Sequence, residues 1–265
     1  MIEPLDAATL AAALPSASWH VDVVVETTST NTDLRTAALA GTARPGTVLV
    51  AEHQTGGRGR LGRTWESAPG AGLTFSVLLD PGRAPLERWG WVPLLTGLAI
   101  AESVGAATGI ELRVKWPNDV LSIGGLKVAG VLAERVDAAT GPLAVVGIGL
   151  NISAGPDQLP VSTAGSLAMA GATTTDRPRL LGAILEALAG RMDTWLSYGG
   201  DAAEAGLLDA YAATSATLGR QISVAVPGGE EITGEALHVD ESGALVLRTL
   251  DGPRVVAAGD VTGVE

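Results

Sequence analysis

The sequence predicts an α+β fold with a small β-barrel at its C-terminal end. Up to about Thr214, strand-like runs are interspersed with segments whose apolar residues recur at helical spacing. Beyond that point, short β-rich runs follow one another through about 50 residues, separated by turn clusters. The chain has 265 residues, of which 46% are hydrophobic, enough for one large core and a small second one. These observations place a first domain at residues 1–214 and a second at 215–265.

Each element has its own signal. Residues 1–20 are Ala-rich and read as one helix, too short for the three helices of a helix-turn-helix module. Val21–Glu26 reads as a strand. Thr27-Thr28-Ser29-Thr30-Asn31 carries helix-capping chemistry, and Thr32–Ala40 continues as the helix. Thr47–Ala51 and Leu73–Leu79 are strands, and Trp89–Ala107 is a long buried helix. Leu112–Trp116 is a strand stopped by Pro117. Asp119–Leu121, a Gly124-Gly125 turn and Lys127–Val136 form a hairpin, and Leu143–Leu150 is a buried strand. Arg179–Tyr198 and Asp201–Ala213 are helices. The C-terminal strands are Ile222–Val226, Ile232–Leu237, Ala244–Thr249 and Arg254–Ala258. Pro227-Gly228-Gly229, Glu241-Ser242-Gly243 and Asp251-Gly252 turn between them.

Composition excludes several classes of function. With no cysteine, the chain has no disulfide, thiolate metal site or cysteine nucleophile. Its three histidines (His20, His53, His238) are scattered, which argues against a histidine-rich metal centre. A net charge of -12 argues against a broad nucleic-acid surface, so no DNA is expected as a partner. No run of about 18 apolar residues is evident, so no membrane span is expected. The N-terminus shows no secretory pattern, and a cytoplasmic protein is expected.

Within this acidic chain, Gly56–Trp65 packs three arginines and four glycines into ten residues. The segment Glu52–Gly72 shows neither helical nor strand periodicity and is long for a plain connection. Gly57, Gly59 and Gly62 spell the G-x-G-x-x-G dinucleotide fingerprint, but Pro69, Gly70 and Gly72 forbid the helix that fingerprint requires. A solvated connecting loop is one reading. The other is an anion clamp, in which glycines allow close main-chain approach and arginines supply forked donors.

Only two lysines occur, and both lie in unusual stretches. Lys115-Trp116-Pro117-Asn118-Asp119 reads either as a strand end with an Asn-Asp turn or as a rigid turn presenting Lys115 and Asn118 to a ligand. Asp119 is ambiguous between facing that ligand and only bracing the turn, and Trp116 reads as core. Lys127 begins an apolar strand, as a protective edge lysine or as an anion ligand. Gly147-Ile148-Gly149-Leu150-Asn151 closes a buried strand on an amide.

Taken together and in order, these stretches resemble bacterial biotin–protein ligases, the biotin–acetyl-CoA-carboxylase ligases. The matching runs are Ser29-Thr30-Asn31, Gln54 with Gly57–Trp65, Lys115–Asp119, Gly125–Glu134 and Gly147–Asn151. The resemblance covers about residues 20–265. It implies a central mixed sheet with flanking helices, like the class II aminoacyl-tRNA synthetase core, and an SH3-like C-terminal barrel. It implies ATP-dependent attachment of biotin to a lysine of a biotin carboxyl carrier domain, through biotinyl-5′-AMP, with Mg²⁺ carried by ATP. It also implies roles. Ser29, Thr30, Asn31, Gln54, Gly57, Arg58 and Gly59 hold biotin. Arg63, Trp65, Lys115, Asn118 and Asn151 hold the nucleotide. Arg60 and Lys127 touch both and are the catalytic pair. Some relatives add an N-terminal DNA-binding domain and repress transcription; residues 1–20 leave no room for one, so a monofunctional ligase is expected. Two other readings stay open: a lipoate ligase or octanoyl transferase on the same fold, and a non-catalytic sensor.

Overall fold

The computed structural model describes residues 4–14 and 19–264. Of the helix expected in residues 1–20, α1 spans Ala7–Ala13, capped by Asp6, whose side chain accepts from Thr9 N at 2.9 Å; residues 1–3 and 15–18 of that stretch lie outside the described residues.

A seven-stranded sheet forms the body. Its strands are β1 (His20–Thr27), β2 (Thr47–Gln54), β3 (Gly72–Leu79), β4 (Leu112–Lys115), β5 (Asp119–Ser122), β6 (Lys127–Ala138) and β7 (Gly141–Asn151). Their spatial order is β1-β2-β3-β7-β6-β5-β4. Only β1 and β2 run parallel, so the sheet is mixed.

The two faces of this sheet are built differently, and the alternation along the strands shows how. On β3, Leu73, Phe75, Val77 and Leu79 enter the main core, as do Val146, Ile148 and Leu150 of β7 and Ala129 and Val131 of β6. Helices α3 (Trp91–Thr108) and α4 (Arg177–Ser197) cover this face together. α3 ends at Gly109, whose left-handed backbone (φ 73) terminates it. By length and composition α3 is apolar enough to cross a membrane, which simple inspection of the sequence missed. However, 67% of it is buried inside the protein, so it is a core helix. Each fully buried Leu or Ile on it contributes about 1.5–3 kcal/mol.

The opposite face is covered only in part. Helix α2 (Thr30–Leu39) sits there, and its Leu34 and Ala38 pack on Leu78, Val136, Leu143 and Val145. At ten residues, α2 shields one end of the face. The rest presents Thr74, Gly130, Gly147, Gly149 and Asn151, small or polar residues in phase with the second core, while Ser76 lies buried beneath the first turn of α2. Helix α2 starts two residues earlier than the spacing predicts because Ser29 is its cap. Thr30 and Asn31 therefore stand in its first turn, above the uncovered part of the sheet.

Helix α5 (Leu207–Thr214) begins later than expected, because Asp201 accepts from Ala203 N and Glu204 N, both at 3.0 Å, in a turn that precedes the helix. A five-stranded antiparallel sheet follows, SH3-like in its class: β8 (Gln221–Ala225), β9 (Glu231–Val239), β10 (Leu245–Thr249), β11 (Gly252–Val256) and β12 (Asp260–Val264), ordered β11-β10-β9-β8-β12. The last strand was not separated out by sequence pattern. This sheet is fixed to the body by two indoles: Trp91 Nε1 donates to Asp240 O at 3.0 Å and Trp116 Nε1 to Gly243 O at 3.2 Å. At Gly90 a Cβ would lie 2.2 Å from Ser242 O, so a side chain there would prise the two sheets apart.

Candidate active site

The uncovered part of the large sheet is the floor of a cavity of about 770 Å³. Its wall on one side is the first turn of α2. On another it is the Gly56–Trp65 loop, and on a third the ends of β4, β5 and β6. Of the residues expected in the site, Ser29, Thr30, Asn31, Gln54, Arg58, Gly59, Arg60, Arg63, Trp65, Lys115, Asn118, Lys127 and Asn151 all line it. Gly57 does not. It lines a depression on the outer side of the loop.

The loop is a short hairpin rather than an irregular connection. Trp65 N donates to Gly57 O at 2.8 Å and Gly59 N to Arg63 O at 2.7 Å, with a bridge between Arg58 and Thr64. A Cβ on Gly57 would lie 2.3 Å from Trp65 O, so this closure requires glycine there. The turn passes through Leu61 (φ 53) and Gly62 (φ 75), both left-handed. For Leu61 that conformation costs about 1–2 kcal/mol, and its side chain is exposed.

Five cations face one another across the cavity, and each has a partner. Arg58 pairs with Glu134 on β6. Lys127 Nζ lies 2.6 Å from Asp119 Oδ1 and 5.7 Å from the centre of the Trp65 ring, a cation–π contact. Asp119 Oδ1 is buried without a hydrogen bond of proper geometry, so this pair is held by charge. The remaining three cations reach the C-terminal sheet. Arg63 pairs with Asp260 at 2.7 Å, Lys115 Nζ donates to Val261 O at 2.9 Å, and Arg60 reaches Gly259 O at 3.4 Å. Arg60 and Lys115 thus meet backbone carbonyls and no carboxylate among the described residues. Burial pushes the Arg60 guanidinium below its ordinary range, a direction that Asp260 opposes. A desolvated arginine of this kind gains most from an anion brought to it.

The polar end of the cavity is a hydrogen-bonded network. Thr30 N donates to Gln54 Oε1 at 2.7 Å. Asn31 Nδ2 donates to Leu132 O at 3.1 Å and to Glu134 Oε2 at 2.8 Å. Because Glu134 also receives Arg58, one carboxylate joins the α2 turn to the arginine loop. The two remaining amides are structural at one atom each: Asn118 Nδ2 donates to Val131 O at 2.8 Å, and Asn151 Nδ2 to Gly165 O at 3.0 Å. Trp116 is buried at 1% exposure, core as expected, and the Trp116–Pro117 peptide is cis.

The floor glycines are seats for side chains. A Cβ on Gly147 would lie 2.2 Å from Asn31 Oδ1, and one on Gly149 2.2 Å from Trp65 Cε2. The sequence alone assigns neither glycine a role, leaves Asp119 ambiguous, and gives no sign of the Gly259–Val261 segment, whose contacts come from far along the chain.

A mixed sheet with a cation-rich cleft, joined to a small antiparallel sheet that reaches the cleft, is an architecture that two family descriptions cover. The Biotin/lipoate A/B protein ligase family matches residues 23–151, and the Biotin protein ligase C terminal domain matches residues 217–262. The chain is 39% identical over 265 residues to the biotin–[acetyl-CoA-carboxylase] ligase of Mycobacterium tuberculosis, covering 97% of this chain and 95% of that one. It is 31% identical over 246 residues to the bifunctional ligase/repressor BirA of Bacillus spizizenii, covering 91% and 72%. The structure of the Aquifex aeolicus biotin protein ligase in complex with biotin and ATP superposes with a TM-score of 0.75 at 28% identity, covering 91% of this chain and 97% of that one. The chain belongs to the biotin protein ligase family.

The seat of Trp65 gives a direct test of the cavity floor. Gly149→Ala is expected to keep the fold but expel the indole, which a crystal structure of the variant would show as a displaced Trp65 ring. A ring still lying over residue 149 would contradict this packing.

Proposed function

We propose that this chain attaches biotin to a specific lysine of a biotin carboxyl carrier domain, driven by MgATP. In the first step the biotin carboxylate attacks the α-phosphorus of ATP, giving biotinyl-5′-AMP and pyrophosphate. In the second, the carrier lysine amine attacks the activated carbonyl and releases AMP. The observation that carries this reading is the convergence on one cavity of both lysines of the chain, three loop arginines and the Ser29–Asn31/Gln54 cluster. Residues 1–214 would carry the chemistry. Residues 215–265 would close the nucleotide side through the Gly259–Val261 contacts.

The electrostatics favour such a reaction. MgATP and biotin bring about three negative charges together, and anions at ~4 Å repel by on the order of 4 kcal/mol per pair at an effective dielectric near 20. Arg60 and Lys127 would meet the biotin carboxylate and the α-phosphate, with Lys115 and Arg63 toward the phosphates. The attacking carboxylate is already ionised, so the first step needs no general base and rests on positioning and charge. Ser29, Thr30, Asn31, Gln54 and the Gly57–Gly59 main chain would hold the biotin rings. Trp65 and Asn151 would flank the adenosine, and Asn118 would help place the triphosphate.

Mg²⁺ would enter on ATP. Among the described residues no group of three or more acidic or histidine side chains is placed to hold a metal alone. Asp119, beside Asn118, would supply a carboxylate to a Mg²⁺ whose other ligands are phosphate and water. A cytoplasmic enzyme with neither DNA nor a membrane as partner fits this reading.

Biotin-dependent exchange of pyrophosphate into ATP tests the reaction. The purified protein should show it, and Lys127→Ala should lower it by about 10²–10³-fold while keeping the fold. Exchange that depends on lipoate instead, or biotin binding with no exchange, would reject the proposal.

A second outcome follows from the lysine count. The chain's only side-chain amines, Lys115 and Lys127, are both engaged. Mass spectrometry after incubation with biotin and MgATP should therefore show almost no self-biotinylated lysine. Heavy labelling of either lysine would contradict their engagement.

A further inference from the structure

Ser76 on β3 is fully buried and does not line the cavity, yet it touches both residues of the α2 turn that do. Its Oγ lies 2.7 Å from Thr30 Oγ1 and 2.6 Å from Asn31 Oδ1, and Thr30 Oγ1 lies 3.0 Å from Gln54 Oε1. These are three oxygen–oxygen contacts served by two hydroxyl protons, so the placement of the protons can be worked out.

Both amides are fixed by their other partners. Asn31 turns Nδ2 toward two acceptors, Leu132 O and the Glu134 carboxylate, so Oδ1 faces Ser76. Gln54 accepts the Thr30 backbone N–H at Oε1, so its Nε2 points toward Gly57, where a Cβ would lie 2.8 Å away. Asn31 Oδ1 therefore needs the Ser76 proton. The 2.7 Å contact between the two hydroxyls then needs the Thr30 proton. The contact left without a proton is the longest, to Gln54 Oε1, whose acceptor is already served by the backbone. With its proton turned back to Ser76, Thr30 can offer a ligand only lone pairs. Gln54 Nε2 has no acceptor among the described residues and can offer only a donor.

We propose that Ser76 is a positioning residue that sets the hydrogen-bond polarity of this end of the cavity, so that Thr30 reads a ligand N–H while Gln54 reads a neighbouring C=O. A cyclic urea carries that pair of groups on adjacent atoms. The assignment rests on the reading of this cavity as a biotin site, and it explains why a residue outside the cavity governs selection within it. The device works because a buried hydroxyl whose proton is committed cannot reverse its role without leaving a polar atom unpaired.

The test is calorimetric titration of the wild-type chain and Ser76→Ala with biotin and with biotin methylated on a ureido nitrogen, alongside the KM for MgATP and the melting temperature. The variant should bind biotin about tenfold more weakly and should lose most of the preference for biotin over the methylated analogue. KM for MgATP should stay close to wild type, and the melting temperature should fall by only a few degrees, because Asn31 Oδ1 loses its donor. Unchanged biotin affinity, or an equal loss for both ligands that keeps the preference intact, would overturn the role of Ser76. A variant that fails to fold is replaced by Ser76→Cys, which fills the same space with a weaker donor and should show the same loss of preference to a lesser degree; a fully kept preference would overturn the role there as well. Absence of biotin binding by the wild-type chain would overturn the reading of the cavity itself, and the Ser76 assignment with it.

Discussion

Five cations held in one cleft of an acidic chain, before any ligand arrives, are the constraint on which the rest of this structure depends. Like charges a few ångströms apart repel by several kcal/mol at protein-like dielectric, and each must find a partner if the cleft is to stay assembled. Asp119 and Glu134 on β5 and β6 take Lys127 and Arg58. The Gly259–Val261 segment takes Arg60, Arg63 and Lys115. The small C-terminal sheet is thus part of the wall of the cleft, and the indoles of Trp91 and Trp116 that anchor it also fix the position of these contacts.

This arrangement explains how a glycine-rich loop can be both ordered and replaceable. The hairpin Gly57–Trp65 is closed by its own backbone and tied down by ion pairs at Arg58 and Arg63. Exposed or half-exposed pairs of this kind are each worth about 1 kcal/mol or less. Phosphate and carboxylate oxygens can outcompete them without unfolding the loop. In the proposed reaction the protein's own carboxylates and carbonyls act as placeholders for the substrate anions. The cations then need little rearrangement when charge shifts onto the transferring adenylyl group.

Much of the site was legible in the sequence because its residues sit in short runs with unusual chemistry. The arginine loop, the Lys115–Asp119 turn and Lys127 were readable for that reason, whereas β3 and β7 read only as strands, because residues on both of their faces are buried and no alternation marks the core side. What stayed hidden is pairing at a distance. Nothing local to Arg63 points to Asp260, 197 residues away, and nothing near Arg58 points to Glu134. Ser76 was hidden differently: one serine in an apolar strand carries no pattern, and its meaning appears only when α2 is laid over it. Helix α2 itself began early because Ser29, read as part of a polar cluster, is the cap.

The central claim is that the ligands take over cations which the protein holds with its own groups. A crystal structure with biotin and a non-hydrolysable MgATP analogue tests it most directly. The account predicts that Lys127 Nζ leaves Asp119 and that the Arg60 guanidinium leaves Gly259 O, both turning to ligand oxygens while the sheet stays in place. A ligand-bound structure in which Lys127 still pairs with Asp119 and Arg60 still rests on Gly259 would contradict it.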